Sequence, residues 1–99
     1  MAEPDEIDDS LERAVFEMYD RRIITNGYVP FRDLPSRINF DKWAGKYGRS
    51  WDAICKDLKG HGLLHLPKKK RVISLGKRGV QFAIAVQKKY SIPPREKRL

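Results

Sequence analysis

A single cysteine, Cys55, in 99 residues leaves no intramolecular disulfide to staple the chain, and it suits a reducing compartment. Apolar runs are short as well, none approaching the roughly 20 residues that cross a bilayer. The first residues are acidic and lack the apolar core of a secretory signal, so nothing in them argues for export. Also missing are a glycine-rich phosphate loop, a Ser-His-Asp order and paired carboxylates at catalytic spacing. His61 and His65 have an H-x-x-x-H spacing near Cys55, yet a structural zinc site wants four ligands and usually more than one cysteine. A thiol beside an apolar stripe is normally inert as a nucleophile. The expectations are therefore no cofactor, no metal, no membrane and no enzymatic activity, with a cytoplasmic location (nuclear if the source is eukaryotic).

Acids are scarce beyond residue 20. Residues 1–20 hold eight of them against one base, Arg13, a net of −7, whereas residues 21–99 hold twenty bases and five acids, a net of +15. The formal total of +8 hides this division. A basic body implies a polyanionic partner, most simply nucleic acid, although basic surfaces also serve solubility. The length suits one domain with one modest core. Its expected layout is an acidic flexible segment over 1–9, a folded domain over 10–90 and a basic flexible tail over 91–99.

Phe40 to Leu64, FDKWAGKYGRSWDAICKDLKGHGLL, is the stretch that the other segments support. Ala44 is small enough for a close helix crossing, and Gly48 four residues on allows the positive φ of a tight stop. Ser50 suits an N-cap. Trp51, Ile54 and Leu58 then fall at i, i+3 and i+7 on one apolar stripe. Gly60 and Gly62 end that helix, and Leu63-Leu64 begin an extended run. Helix, tight turn, helix and apolar strand is the pattern of a helix-turn-helix.

Ala44-x-x-x-Gly48 followed by Ser50-Trp51-x-x-Ile54-x-x-x-Leu58-x-x-x-Gly62-Leu63-Leu64 resembles the core of winged-helix DNA-binding proteins of the bacterial and archaeal regulator type. The basic turn Pro67-Lys68-Lys69-Lys70-Arg71 and the exit Ile73-Ser74-Leu75-Gly76-Lys77-Arg78-Gly79 extend the resemblance over about residues 40–85. It implies a small α+β fold of three to four helices and a short β-wing. It also implies a regulator of transcription that presents the Ser50-capped helix to the major groove of duplex DNA and the wing to the backbone.

The candidate nucleic-acid residues are Lys46, Arg49, Ser50, Asp52, Ala53, Lys56 and Lys59 around the motif, with Lys68, Lys69, Lys70 and Arg71 at the wing. On a wheel with Trp51, Ile54 and Leu58 inward, Asp52, Ala53, Lys56 and Lys59 point outward. Ser50 is a base contact only where its cap role leaves it free. Asp52 and Asp57 oppose phosphate, though a carboxylate can accept from cytosine N4. Four adjacent cations repel one another, and a tip lying on phosphates explains them. Pro67–Val72 also matches a nuclear-localisation run. An acidic protein partner and RNA remain the alternatives to DNA.

Elsewhere, Asp9 or Ser10 caps a helix expected over 10–24, whose apolar positions include Leu11, Val15, Phe16, Met18, Tyr19, Ile23 and Ile24. That is more than one face needs. A homodimer through this helix and the last one is the corresponding expectation, with Phe16, Tyr19, Ile23 and Phe82 at the seam. Tyr28–Phe31 suits a short strand. Segments 33–38 and 40–47 compete as the first helix of the motif; 40–47 is preferred for Ala44 and Gly48, with 33–38 as an additional turn. His65–Pro67 and Val72–Leu75 are the wing strands. Lys77–Tyr90 is the last helix, with Val80, Ala83, Ile84 and Val86 inward. Trp43, Tyr47 and Trp51 read as core rather than as a base-stacking platform.

Overall fold

The structure, a computed structural model, describes residues 4–68 and 71–97. Among them the chain forms α1 (Ser10–Asp20), β1 (Val29–Pro30), α2 (Leu34–Arg37), α3 (Phe40–Trp43), α4 (Trp51–Gly60), β2 (Leu64–His65), β3 (Val72–Leu75) and α5 (Lys77–Lys89). Single 3-10 turns occur at Pro4–Glu6, Phe31–Asp33, Ala44–Lys46 and Arg95–Lys97. The class is α+β, with an antiparallel sheet in the order β1-β3-β2. Val29 and Pro30 pair with Ile73 and Val72, while Leu64 and His65 pair with Leu75 and Ser74. β3 is thus the central strand, and its Ile73, Ser74 and Leu75 are fully buried.

Asp9 caps α1, its carboxylate accepting from the Leu11 N–H at 2.8 Å and the Glu12 N–H at 3.2 Å. The helix stops at Asp20, short of the expected residue 24. Arg22 adopts φ 59°, the Ile23 N–H bonds Met18 O at 2.9 Å and the Arg22 N–H bonds Tyr19 O at 3.0 Å. This is a Schellman ending built without glycine. The reason lies in β3: Leu75 donates to Ile23 O and accepts from the Thr25 N–H, both at 2.9 Å. Ile23 and Ile24 are strand-like partners of the sheet, and their apolar character belongs to that role.

α1 packs along α5 and also touches α4 and β3. Val15, Phe16 and Met18 meet Leu34, Ile38, Ile54, Leu58, Ile73, Leu75 and Val86 in one core. Phe16 and Ile23 are buried there, and Tyr19 and Phe82 are half-buried against it. The apolar surplus that motivated a dimer is therefore largely absorbed within one chain. On α5 the buried line is Gly79, Ala83 and Val86, at i, i+4 and i+7. Ile84, expected inward, lies off that line and is 38% exposed.

Segments 33–38 and 40–47 are both helical, the first as a single short turn, with α2 starting at Leu34-Pro35 and α3 running on into the 3-10 turn that precedes Gly48 at φ 60°. Two further expectations are corrected. Residues 4–9, read as free from their composition, are packed down: Ile7 is fully buried, and the Tyr47 hydroxyl donates to its carbonyl. Ile92 of the tail belongs to the core, because Ser91 at φ 53° closes α5 and turns the chain back, the Ile92 N–H reaching Gln87 O at 3.0 Å.

Gly79 sits where α5 crosses the entry to β2 and the end of β3. A Cβ there would lie 2.3 Å from Leu63 O and 2.6 Å from Leu75 Cδ2. Alanine in a helix interior is normally favoured over glycine by about 1 kcal/mol. Overpacking reverses the sign here, and Gly79→Ala is expected to destabilise the fold by about 1–3 kcal/mol. Denaturant unfolding measures this, and a stabilised variant would contradict the packing at this crossing.

Glu12 is buried on α1 and receives the Tyr90 hydroxyl at 2.7 Å and the Lys89 ammonium at 2.9 Å. The bond to Glu12 raises the pKa of Tyr90 above its ordinary 10.0 and that of Lys89 above 10.5. Both groups hold their protons more tightly in the folded chain. Their stabilisation is therefore present below the unfolded values and lost as pH climbs through the raised ones. Thermal melting should fall off above about pH 10, less steeply in Tyr90→Phe than in the parent. Superimposable alkaline limbs would remove Tyr90 from this role.

Candidate nucleic-acid interface

α4 forms because Ser50 caps it and the Trp51, Ile54 and Leu58 stripe has a core to meet. The Ser50 hydroxyl accepts from the Ala53 N–H at 3.2 Å, so its side chain is occupied as the cap. Ile54, Cys55 and Leu58 are buried, and Trp51 is half-buried. Phe40, Trp43 and Trp51 meet edge-on, with ring centroids 5.0 Å and 5.4 Å from Phe40, and Tyr47 continues the cluster 5.8 Å from Trp43. These aromatics pack against the core and against Arg13, whose guanidinium lies 5.3 Å from the Trp43 ring.

Apart from Ser50, the sequence-predicted residues divide into three groups. Lys46 and Arg49 are diverted from any ligand by contacts within the chain. The Lys46 ammonium donates to the carbonyls of Asp5 and Ile7 and lies 3.8 Å from the Asp8 carboxylate. Arg49 bridges two helices, donating to Ser10 Oγ at 3.0 Å and pairing with the Asp57 carboxylate. That pairing also removes Asp57 as an unopposed negative charge beside the helix.

The second group stays open. Asp52, Lys56 and Lys59 are exposed along α4, with Ala53 half-exposed between them. Lys68 and Arg71 are exposed on the β2–β3 hairpin. The hairpin strands are Leu64–His65 and Val72–Leu75; Pro67, expected in the first, lies outside it. Its missing N–H cannot extend a ladder. The third group, Lys69 and Lys70, falls outside the described residues.

Sequence reasoning missed a groove of about 360 Å³ between the end of α4 and the hairpin, lined by Phe31, Arg32, Lys59, Leu66, Arg71 and Val72. Phe31 looked like a strand residue. The chain instead enters a 3-10 turn at Phe31, which leaves the residue 37% exposed with the Lys59 ammonium 5.1 Å from the ring centroid. Arg32, Lys56, Lys59, Lys68 and Arg71 make no ion pair among the described residues. The available signal was the Phe31-Arg32 pair directly after Pro30, an aromatic beside a cation at the end of the short strand.

The residues weighed as metal ligands have other surroundings. Cys55 is a buried thiol whose pKa is raised by burial, and a ring nitrogen of His65 lies 3.0 Å from the Tyr28 hydroxyl. No group of three metal-ligating side chains occurs among the described residues. No helix among them is long and apolar enough to cross a membrane. Comparison with family models, curated proteins and solved structures returns no match to this chain.

The division between diverted and open cations is testable on stability. Arg49→Ala leaves Ser10 and Asp57 without their partner and is expected to cost about 1 kcal/mol, the pair being partly exposed. Lys56→Ala, on the open face, should stay within about 0.5 kcal/mol of the parent. Equal effects in paired unfolding curves would contradict the assignment of Arg49 to the scaffold.

Proposed function

We propose that the chain is a non-enzymatic winged-helix module that binds duplex DNA, with α4 at the major groove and the β2–β3 hairpin as the wing. Regulation of transcription is the role that suits it. The observation that carries this reading is the separation of charge. The acids at the amino-terminal end face Arg13, Lys46 and Lys89, whereas Lys56, Lys59, Lys68, Arg71 and Arg32 stand exposed on α4, the hairpin and the turn beside them. Unbalanced cations on a helix face and an adjacent hairpin match a groove flanked by two phosphate strands. Lys46, Arg49 and Ser50 are left out of this interface, and Lys56 and Lys59 become its centre.

Asp52 favours a second reading in one respect. A carboxylate on the presented face of α4 opposes phosphate, and a module that docks a protein surface carrying both signs of charge would tolerate it better. A salt titration separates the two. Duplex affinity should fall with a log–log slope of roughly −0.9 per phosphate bound. Lys68→Ala with Arg71→Ala should flatten that slope by about one unit for each phosphate no longer held, equally on all sequences. Asp52→Ala and Lys56→Ala should instead change the preference among sequences, by about 1–3 kcal/mol where a base contact exists. Salt-independent binding, or none at low salt, would refute the DNA reading.

A further inference from the structure

We propose that the groove between Phe31 and Leu66 takes one unpaired nucleotide, its base stacking on the Phe31 ring and its phosphates meeting Arg32, Lys59 and Arg71. The inference rests on the nucleic-acid reading above and goes further, because a continuous duplex offers no free base. Three features of the groove carry it.

First, the charge is one-sided: three cations line the groove, and no carboxylate does. The comparable groove between α1 and α5 differs, with Asp9 and Glu12 set against Arg78 and Lys89 and Glu12 ion-paired to Lys89. Second, the apolar part of the groove is open to solvent. Phe31 and Leu66 are 37% and 44% exposed, in a chain that buries its other phenylalanines wholly or in part. A cavity of about 360 Å³ lies at the small end of ligand pockets, enough for a base and its substituents. Third, the Lys59 ammonium lies over the ring. This cation–π contact, at an exposed site, is weak. A base can displace the ammonium from the ring, and the lysine stem then carries the charge to the adjoining phosphate. Aromatic stacking beside cations that track a backbone is the general chemistry of single-strand recognition.

The position matters as well. Lys59 belongs to the last turn of α4, and Leu66 and Arg71 belong to the hairpin. A duplex held by α4 and the hairpin would thus end, or open, over Phe31. The ligand class is duplex DNA with a single-stranded tail or a melted step.

The test compares a blunt duplex with the same duplex carrying a short unpaired tail, the tail bearing 2-aminopurine as its first base. The full chain should bind the tailed duplex about fivefold to a hundredfold more tightly, with the 2-aminopurine emission quenched on binding. Phe31→Leu keeps an apolar side chain but removes the ring; it should lose the tail increment and the quenching while matching the parent on blunt duplex. Phe31→Trp should retain both. Melting curves of each variant exclude an unfolded chain as the cause of any loss. Equal affinity for blunt and tailed duplex overturns the proposal and leaves the duplex reading standing. So does a Phe31→Leu variant weakened alike on both. Failure to bind blunt duplex overturns the duplex reading, while a tail-dependent, Phe31-dependent interaction in that case still supports the groove. An oligoglutamate peptide whose binding needs Phe31, with no advantage from a tail, assigns the groove to a protein ligand and overturns the proposal.

Discussion

The burial of charge on α1 constrains everything around it. Glu12 to Met18 are seven consecutive buried residues, so the helix has no solvated face along that stretch, and Glu12, Arg13 and Glu17 lose water with the apolar residues between them. A buried ion left without its partner costs about 3–5 kcal/mol, a large share of the stability of a small domain. Each is therefore matched. Arg13 pairs with Glu17 at 2.8 Å and donates to Pro4 O at 3.0 Å, Glu17 also pairs with Arg21, and Glu12 receives Lys89 and Tyr90. These partners come from the amino-terminal segment, the end of α1 and the end of α5, which ties both ends of the chain to one helix.

That arrangement sorts the cations. An acidic segment held over α1 takes up Lys46 and part of Arg13, and Arg49 is drawn to Ser10 and Asp57 by the same crossing. Lys56, Lys59, Lys68, Arg71 and Arg32, on α4, the hairpin and the turn after β1, stay without an ion pair among the described residues, as do Arg37, Lys42, Lys77, Arg78 and Lys88 on α2, α3 and α5. The proposed interface is in this sense a by-product of folding. The core takes the cations nearest α1, and the ligand is left those that no carboxylate reaches. The proposed nucleotide groove follows from the same geometry, since Phe31 and Leu66 lie at the rim where neither helix packing nor the sheet covers them.

Much of the fold was legible because its signals are local. The Asp9 and Ser50 caps, the Gly48 turn, the Trp51–Ile54–Leu58 stripe, β3 and the limits of α5 all rest on residues within a few positions of one another. The end of α1 was not legible: Arg22 takes a left-handed conformation that ordinarily signals glycine or asparagine, and it does so to deliver Ile23 and Ile24 to a strand fifty residues away. Ile84 failed for a related reason. Val80, Ala83, Ile84 and Val86 together span a wide arc, and only the close approach of Leu63 to Gly79 decides which part of it turns inward.

The sequence by itself determined the class of the protein: an α+β domain with one core, a capped helix after a glycine turn, and a basic body behind an acidic amino-terminal segment. Those properties follow from periodicity, capping chemistry and net charge, which act over a turn of helix or over the whole chain. Tertiary structure alone decided which cations are free. Lys46, Arg49, Lys56 and Lys59 are equivalent in sequence as bases flanking a motif, and they differ only in whether a carbonyl or carboxylate from a distant segment comes within hydrogen-bond reach. A hydrogen bond or ion pair is settled over about 3 Å, and that proximity exists only once α1, the amino-terminal segment and α4 have packed together.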